Sequence, residues 1–456
     1  MTHTASDIAQ DQDSTATSTA LELHDLQSGI LHPRPSPYVG SYVVFRVDDR
    51  HDGRRFIGRL GRRIESAAQW SAEAQSWLTV AITFEGLRAL GAPEASLDSF
   101  PSEFKEGMAA RAELLGDTGE SAPEHWEAPL GTRDVHVALA AIAPDAPRLS
   151  VLLDTIRTGV RDLAGVVEIW RQDCYALPTE REAFGFKDGI SHPAIEGSGI
   201  PGSNPKEEPL KAGEFILGYR NEMDGLPPMP SPDVLGRNGT YVVFRKLHQN
   251  VAAFRRYLRA NATNPEDEEL LAAKFVGRWR SGAPLSLSPD CDDPALGADA
   301  TRNNDFLYQD DDPRGLKCPI GSHIRRMNPR DAVVTGAVRL HRMIRRGTNY
   351  GPQMAEGVLD DDGQDRGLCF VFVGASLTRQ FEFVQMQWVN DGRPFGAPAE
   401  KDPLIGANDG ACPFSIPARP IRRRLQSLPR FVTTRGGEYC FAPSLSALRW
   451  LSKLDS

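Results

Sequence analysis

Three stretches of the sequence set chemically capable side chains close together. The first is Cys318-Pro319-Ile320-Gly321-Ser322-His323-Ile324-Arg325-Arg326-Met327-Asn328-Pro329-Arg330. An imidazole can ligate iron axially, and arginines a few residues on can pair bidentately with the propionates of a haem. A buried or surface histidine beside a basic turn accounts for the same residues. The second stretch is Gly185-Phe186-Lys187-Asp188-Gly189-Ile190-Ser191-His192-Pro193. Its glycines let backbone approach a flat ligand, and a carboxylate held there could shuttle protons, although an Asp-Gly turn forms without any ligand. The third, His341-Arg342-Met343-Ile344-Arg345-Arg346-Gly347, sets arginines inside an apolar run. Read as a strand, it sends Met343 and Arg345 to one face and Arg342, Ile344 and Arg346 to the other. One arginine could then point inward at a cofactor; an edge strand with solvated arginines is the alternative.

These clusters need a scaffold. Residues 41–46 (SYVVFR) are echoed by residues 240–245 (TYVVFR), each a β-branched and aromatic run that predicts a strand followed by a helix. The echo raises the possibility of an internal duplication, which one short match does not decide. Further strands are expected at 77–84, 135–142, 166–170, 337–343 and 368–373, with helices over 149–163, 250–258 and 378–388. Such short-range alternation fits an α+β protein built as two ferredoxin-like α/β sandwich domains with antiparallel sheets. Gly, Pro and Ser crowd residues 197–209 and 225–232, which places the linker there. The expected division is a disordered tail over 1–20, an N-terminal domain over 21–205 carrying the Asp188 motif, and a C-terminal domain over 206–456. The Asp- and Asn-rich stretch 290–312 predicts a long surface loop.

Composition narrows the function classes. The chain has 456 residues, 40% hydrophobic and 25% charged, enough for a sizeable core and two domains. A formal net charge of -9 argues against a nucleic-acid partner, since phosphate backbones attract basic surfaces, and Arg422-Arg423-Arg424 reads as solvated surface. The first twenty residues are polar, with no basic start followed by an apolar stretch. Nowhere do eighteen apolar residues run together, so no membrane span is expected and the cytoplasm is the default compartment. The six cysteines never form Cys-x-x-Cys, which argues against zinc and iron–sulfur sites and for buried, reduced thiols.

Taken together, the three clusters resemble the dye-decolorising peroxidase family. The G-F-x-D-G element at 185–189, the C-P-x-G-x-H-I-R-x-x-N-P-R run at 318–330 and the R-R-G-x-x-Y-G-P run at 345–352 occur in the family's order. So do Gly367-Leu368-Cys369-Phe370-Val371-Phe372, the helix containing Gln380-Phe381-Glu382-Phe383-Val384-Gln385, and Asp402-Pro403-Leu404-Ile405-Gly406. The likeness runs from about residue 23 to 443. It implies one haem b per chain, bound mainly by the C-terminal domain, with His323 as proximal iron ligand and Asp402 accepting its other ring N–H. By the same resemblance Asp188 is the distal acid–base residue and Arg345 the distal arginine, chosen over Arg346 because it stands two places before Gly347. Arg330 becomes a propionate contact, Leu368 and Phe370 distal walls, and Gly185, Phe186 and Gly189 cofactor neighbours. The implied reaction reduces hydrogen peroxide to water and oxidises a small organic donor, of the dye or phenolic class, through a ferryl species. Tyr350, Trp388 and Trp279 could relay electrons or simply pack. The resemblance points to the larger, intracellular members, in which bulky dyes make poor natural donors, and assembly into a homo-oligomer stays open. The rival reading is a haem-binding or iron-handling, deferrochelatase-like protein with incidental peroxide turnover; both Asp188 and Arg345 favour the enzyme.

Overall fold

The computed structural model describes residues 20–68 and 76–454. The tail expected over residues 1–20 therefore lies, apart from Ala20, outside the described residues. Eleven strands occur among them: β1 Val39–Val47, β2 Trp77–Ile82, β3 Val137–Ala143, β4 Val166–Tyr175, β5 Thr240–Gln249, β6 Ile344–Arg345, β7 Thr348–Tyr350, β8 Gly367–Gly374, β9 Cys412–Ile416, β10 Arg423–Leu428 and β11 Val432–Ala442. Nine form one antiparallel sheet in the order β4-β1-β3-β2-β11-β5-β8-β6, with β7 also on β8, while β9 and β10 make a separate hairpin. The first four strands thus run fourth, first, third, second. Counting β6 and β7 together as its second strand, the later half repeats that order as β11-β5-β8-β6. This is the ferredoxin-like arrangement twice over, and the chain is α+β. The two units share one sheet because β2 meets β11 at Ile82 and Phe441.

The apolar runs that predict strands are buried on both faces. On one face Val43, Phe45, Val80, Val243 and Phe372 pack against Phe56, Ile57 and Leu60 of the helix Arg50–Gly61 and Leu448 of the helix Leu445–Leu451. On the other, Tyr42, Val44, Trp77, Trp170 and Phe244 form a second cluster. The Phe244 ring sits 5.2 Å from Tyr42 and 5.8 Å from Trp170. Strands of the two halves therefore face one another across this interior. Each fully buried aromatic stabilises by about 1.5–3 kcal/mol.

The later half carries its helices towards residue 323. The helix Val251–Asn261 starts where the Asn250 side chain accepts the Ala253 N–H at 2.9 Å. Its buried Val251, Phe254 and Leu258 join Phe275 of the helix Pro265–Val276 and Phe431 in one cluster. That second helix ends at Gly277, φ +97, where a Cβ would lie 2.5 Å from Ile324 Cγ1. Only glycine permits this approach, and it sets the helix end directly against His323's neighbour.

Several expectations need correction. Residues 337–343 are not a strand: Val338–His341 form a 3₁₀ turn, and the strand begins only at Ile344. Side-chain bonds hold this segment out of the ladder, with Arg339 paired to Glu222 at 2.8 Å and His341 Nδ1 bonded to Arg379 O at 2.6 Å. The helix expected over 149–163 starts earlier, as Ala146–Val160, because Asp145 caps the Arg148 N–H. The stretch 378–388 winds as the wide-turn helices Leu377–Glu382 and Val384–Val389. Residues 290–312 are not all surface, since Asn304, Phe306 and Tyr308 are buried. Among the described residues no helix is long and apolar enough to cross a membrane.

Candidate active site

His323 opens the short helix His323–Met327. Behind it Ser322 Oγ donates to Lys274 O, and Arg326, fully buried, donates to Trp388 O at 2.8 Å and Gly321 O at 3.1 Å. These bonds pin the helix between two others. His323 Nδ1 lies 2.9 Å from Asp402 Oδ2. The Asp402 side chain is wholly buried, and its Oδ1 accepts the Leu404 and Ile405 N–H groups at 2.9 Å each. Burial alone would raise this carboxyl; the neighbouring His323, the Ile405 N–H and Arg326 outweigh it and hold the group below the usual carboxylate range. An ionised carboxylate only accepts, so Nδ1 carries the ring proton. Nε2 is then a lone-pair donor, with no protein partner among the described residues.

His323 lines a cavity of about 280 Å³. Phe186, Asp188, Gly189, Arg330, Arg345, Leu368 and Phe370 line it too, while Gly185 does not. Gly185 serves the loop instead: its φ is +97, and a Cβ would meet Arg280 Nη1 at 2.6 Å. The Asp188 loop is shaped by half-buried Glu182, which accepts the Phe184 and Phe186 N–H groups at 3.0 and 2.9 Å. Leu368 and Phe370 alternate along β8, so both face the cavity while Cys369 turns into the interior cluster. Val276, Ile324, Met343, Val384 and Leu404 complete apolar walls.

Asp188 and Arg345 face one another at 4.0 Å, each roughly a third exposed to the open cavity. Burial would raise Asp188, yet Arg345, then Arg34, the Gly189 N–H and His192 prevail and keep its carboxyl low. Arg345 Nη2 also reaches Ser191 O at 3.4 Å. Arg346 points elsewhere, donating to Leu31 O. Arg342, expected on the face opposite Arg345, lines the same cavity and pairs with Glu207. Strict alternation fails there because the strand begins two residues later.

Arg330, expected as a propionate contact, has an arginine neighbour that the sequence reading missed, Arg278. Arg278 Nη2 and Arg330 Nη2 share the Asn304 Oδ1 at 2.7 and 3.0 Å, and Arg330 lies over Phe306 at 3.7 Å. Neither has a carboxylate partner among the described residues. Burial and the charge of Arg330 pull Arg278 down to about 10. Two guanidiniums sharing one amide, with no carboxylate paired to either, form a positively charged corner suited to an anionic group. The only advance sign of Arg278 is its place just after the helix-ending Gly277. Neither His341 nor His192 lines the cavity: His341 stacks on Phe383 at 3.7 Å, and burial, with Arg346 and Arg345 nearby, pushes His192 down to about 4.

The residues fit a flat, metal-centred, dianionic cofactor: one unpartnered imidazole nitrogen, an apolar cavity, and two arginines without anions. No family model matches the chain. It is 31% identical to the dye-decolorizing peroxidase msp1 of Mycetinis scorodonius over 97% of this chain and 90% of that protein. Among solved structures, an ancestral D-type dye decolorizing peroxidase matches with a TM-score of 0.83 at 30% identity, covering 94% of this chain and 99% of that one. A dye-decolorizing peroxidase in complex with 2,6-dimethoxyphenol matches at 0.82 and 29%, covering 95% and 100%. The chain belongs to the dye-decolorising peroxidase family. It is a haem-dependent peroxidase that reduces peroxide at the expense of an organic donor, and the iron-handling reading is not favoured.

Proposed function

We propose that His323 Nε2 holds the iron of one b-type haem per chain, with the propionates taken by Arg330 and Arg278. The observation that carries this reading is the buried Asp402 carboxylate, which fixes the proton on Nδ1 of the cavity-lining His323 and leaves Nε2 with a free lone pair. A haem bound there would supply the redox chemistry that couples peroxide reduction to oxidation of the donor. Asp188 takes the proton from one peroxide oxygen and returns it to the other, which leaves as water. Arg345, 4.0 Å from that carboxylate, stabilises the negative charge that develops as the O–O bond lengthens. Asp402 makes the imidazole electron-rich, and Leu368 and Phe370 keep bulk water from the peroxide. The donor is a small phenol, as in the dimethoxyphenol complex of the similar structure. Six free cysteines, five of them buried, suit a reducing cytoplasmic compartment.

Haem titration of His323→Ala tests this reading. The variant should lose stoichiometric haem and its Soret band, since no other side chain in the cavity offers iron a free imidazole nitrogen. Full haem with an unchanged spectrum would move the ligand elsewhere.

A further inference from the structure

The turn that carries Arg345 is gripped by a stretch some three hundred residues earlier. Arg346 Nη2 donates to Leu31 O, and Arg34 Nε donates to Gly347 O at 2.9 Å. Thr348 Oγ1 donates to Tyr42 Oη at 3.0 Å, and Asn349 N to Tyr38 Oη at 2.6 Å. Four consecutive residues, 346–349, are thus each bonded to the segment 31–42. One of these contacts brings charge to the peroxide site. The Arg34 guanidinium lies over the Tyr38 ring at 4.2 Å. Its Nη2 lies 3.6 Å from where a Cβ would sit on Gly189, the residue after Asp188. Arg34 makes no ion pair within 4.0 Å among the described residues, and its charge is among those that hold the Asp188 carboxyl low.

We propose that Arg34, supplied by the first half of the chain, is a second cation of the peroxide site: it holds the turn carrying Arg345 and shares with Arg345 the charge of the Asp188 carboxylate. It is a positioning residue, acting through Asp188, and the proposal rests on Asp188 being the proton carrier. The titratable and charged groups that interact electrostatically with Asp188 are Arg345 from β6, Arg34 and Tyr38 from the early segment, and His192 and Glu182 on either side of it in the chain. Both arginines favour the ionised carboxylate, whereas Glu182 opposes it. Removing the Arg34 charge therefore raises the pH at which Asp188 takes up a proton, and acid inactivation sets in earlier.

The test uses the haem-loaded protein in three forms, Arg34→Gln, Arg34→Lys and Asp188→Asn, beside the wild type. Glutamine keeps a donor for Gly347 O but removes the charge, and lysine keeps the charge. Two quantities are followed against pH: the rate of haem oxidation by peroxide in a stopped-flow mixer, and the affinity of the resting haem for fluoride, whose binding senses a distal proton without turnover. For Arg34→Gln the acid limb should move up by about half to one pH unit in both, a three- to tenfold lower rate on the limb and little change near neutrality. Arg34→Lys should restore the wild-type limb. An unmoved limb in Arg34→Gln, with the limb abolished in Asp188→Asn, overturns the role of Arg34 and leaves Asp188 in place. A limb that persists in Asp188→Asn overturns the underlying reading itself. Equal loss of stability and rate in both Arg34 variants, with no shift in either profile, reduces Arg34 to a structural clamp and refutes the proposal.

Discussion

Replacing Asp402 with asparagine isolates what the buried carboxylate does for His323. In the native site Oδ2 accepts the ring N–H at 2.9 Å while Oδ1 accepts two backbone N–H groups at the same distance. An amide has one accepting oxygen, so the substituted side chain cannot serve both sides. If the oxygen faces His323, the NH₂ opposes the Leu404 and Ile405 N–H groups in a fully buried place. If it faces the backbone, the NH₂ opposes the ring N–H. Either way at least one buried donor loses its acceptor, which costs about 1–3 kcal/mol of stability. The electronic effect is separable. A hydrogen bond to a charged group is worth about 1.5–3 kcal/mol against about 0.5–1.5 for a neutral one, a loss of about 1–1.5 kcal/mol of preferential support for the more oxidised iron. For one electron this raises the ferric/ferrous potential by about 45–65 mV. Redox titration of the haem-loaded variant reads the shift directly, and thermal unfolding reads the cost in stability. A potential unchanged or lowered, in a variant that retains haem, would refute the electronic role of Asp402. The low-lying Asp402 carboxyl also carries a sign: its stabilisation is present above the ordinary carboxylate range and fades as acid protonates the folded protein.

Other outcomes follow from the cavity. Arg345→Leu should slow peroxide-driven haem oxidation about ten- to hundredfold while leaving the donor step comparatively intact; an unchanged rate would leave the charge of Arg345 without a role. Arg278→Gln removes one member of the anion-free corner, so haem retention should weaken about tenfold or more in competition with a soluble haem acceptor, and equal retention would take the propionate from Arg278.

The strand runs at 39–47 and 240–249 were legible because both faces are buried and the sequence is continuously apolar there. Their union in one sheet was not, since it depends on a contact between Ile82 and Phe441 that no local pattern announces. His323, Asp188, Arg345 and Arg330 stood out by type and motif, and all four line the cavity. Arg342 was sent to the wrong face because the periodicity argument assumed a strand where side-chain bonds impose a 3₁₀ turn. Gly185 was grouped with the cofactor neighbours, whereas its positive φ and its contact with Arg280 explain it within the loop. Arg278, beyond its place after Gly277, and Arg34 carried no signal, being isolated arginines whose meaning comes from partners 52 and 313 residues away, Arg330 and Gly347.

The central claim is that Asp188 carries the peroxide proton, and stopped-flow mixing of haem-loaded Asp188→Asn with peroxide across pH tests it most directly. Asparagine preserves size and turn-forming ability but cannot titrate. The variant should retain haem and show a haem-oxidation rate lower by about 10²- to 10⁴-fold. It should also lose the acid limb, which in the wild type falls as pH drops below the ordinary carboxylate range, because Asp188 is held low. A variant that keeps its haem and reacts at the wild-type rate, with the acid limb still present, would contradict the claim.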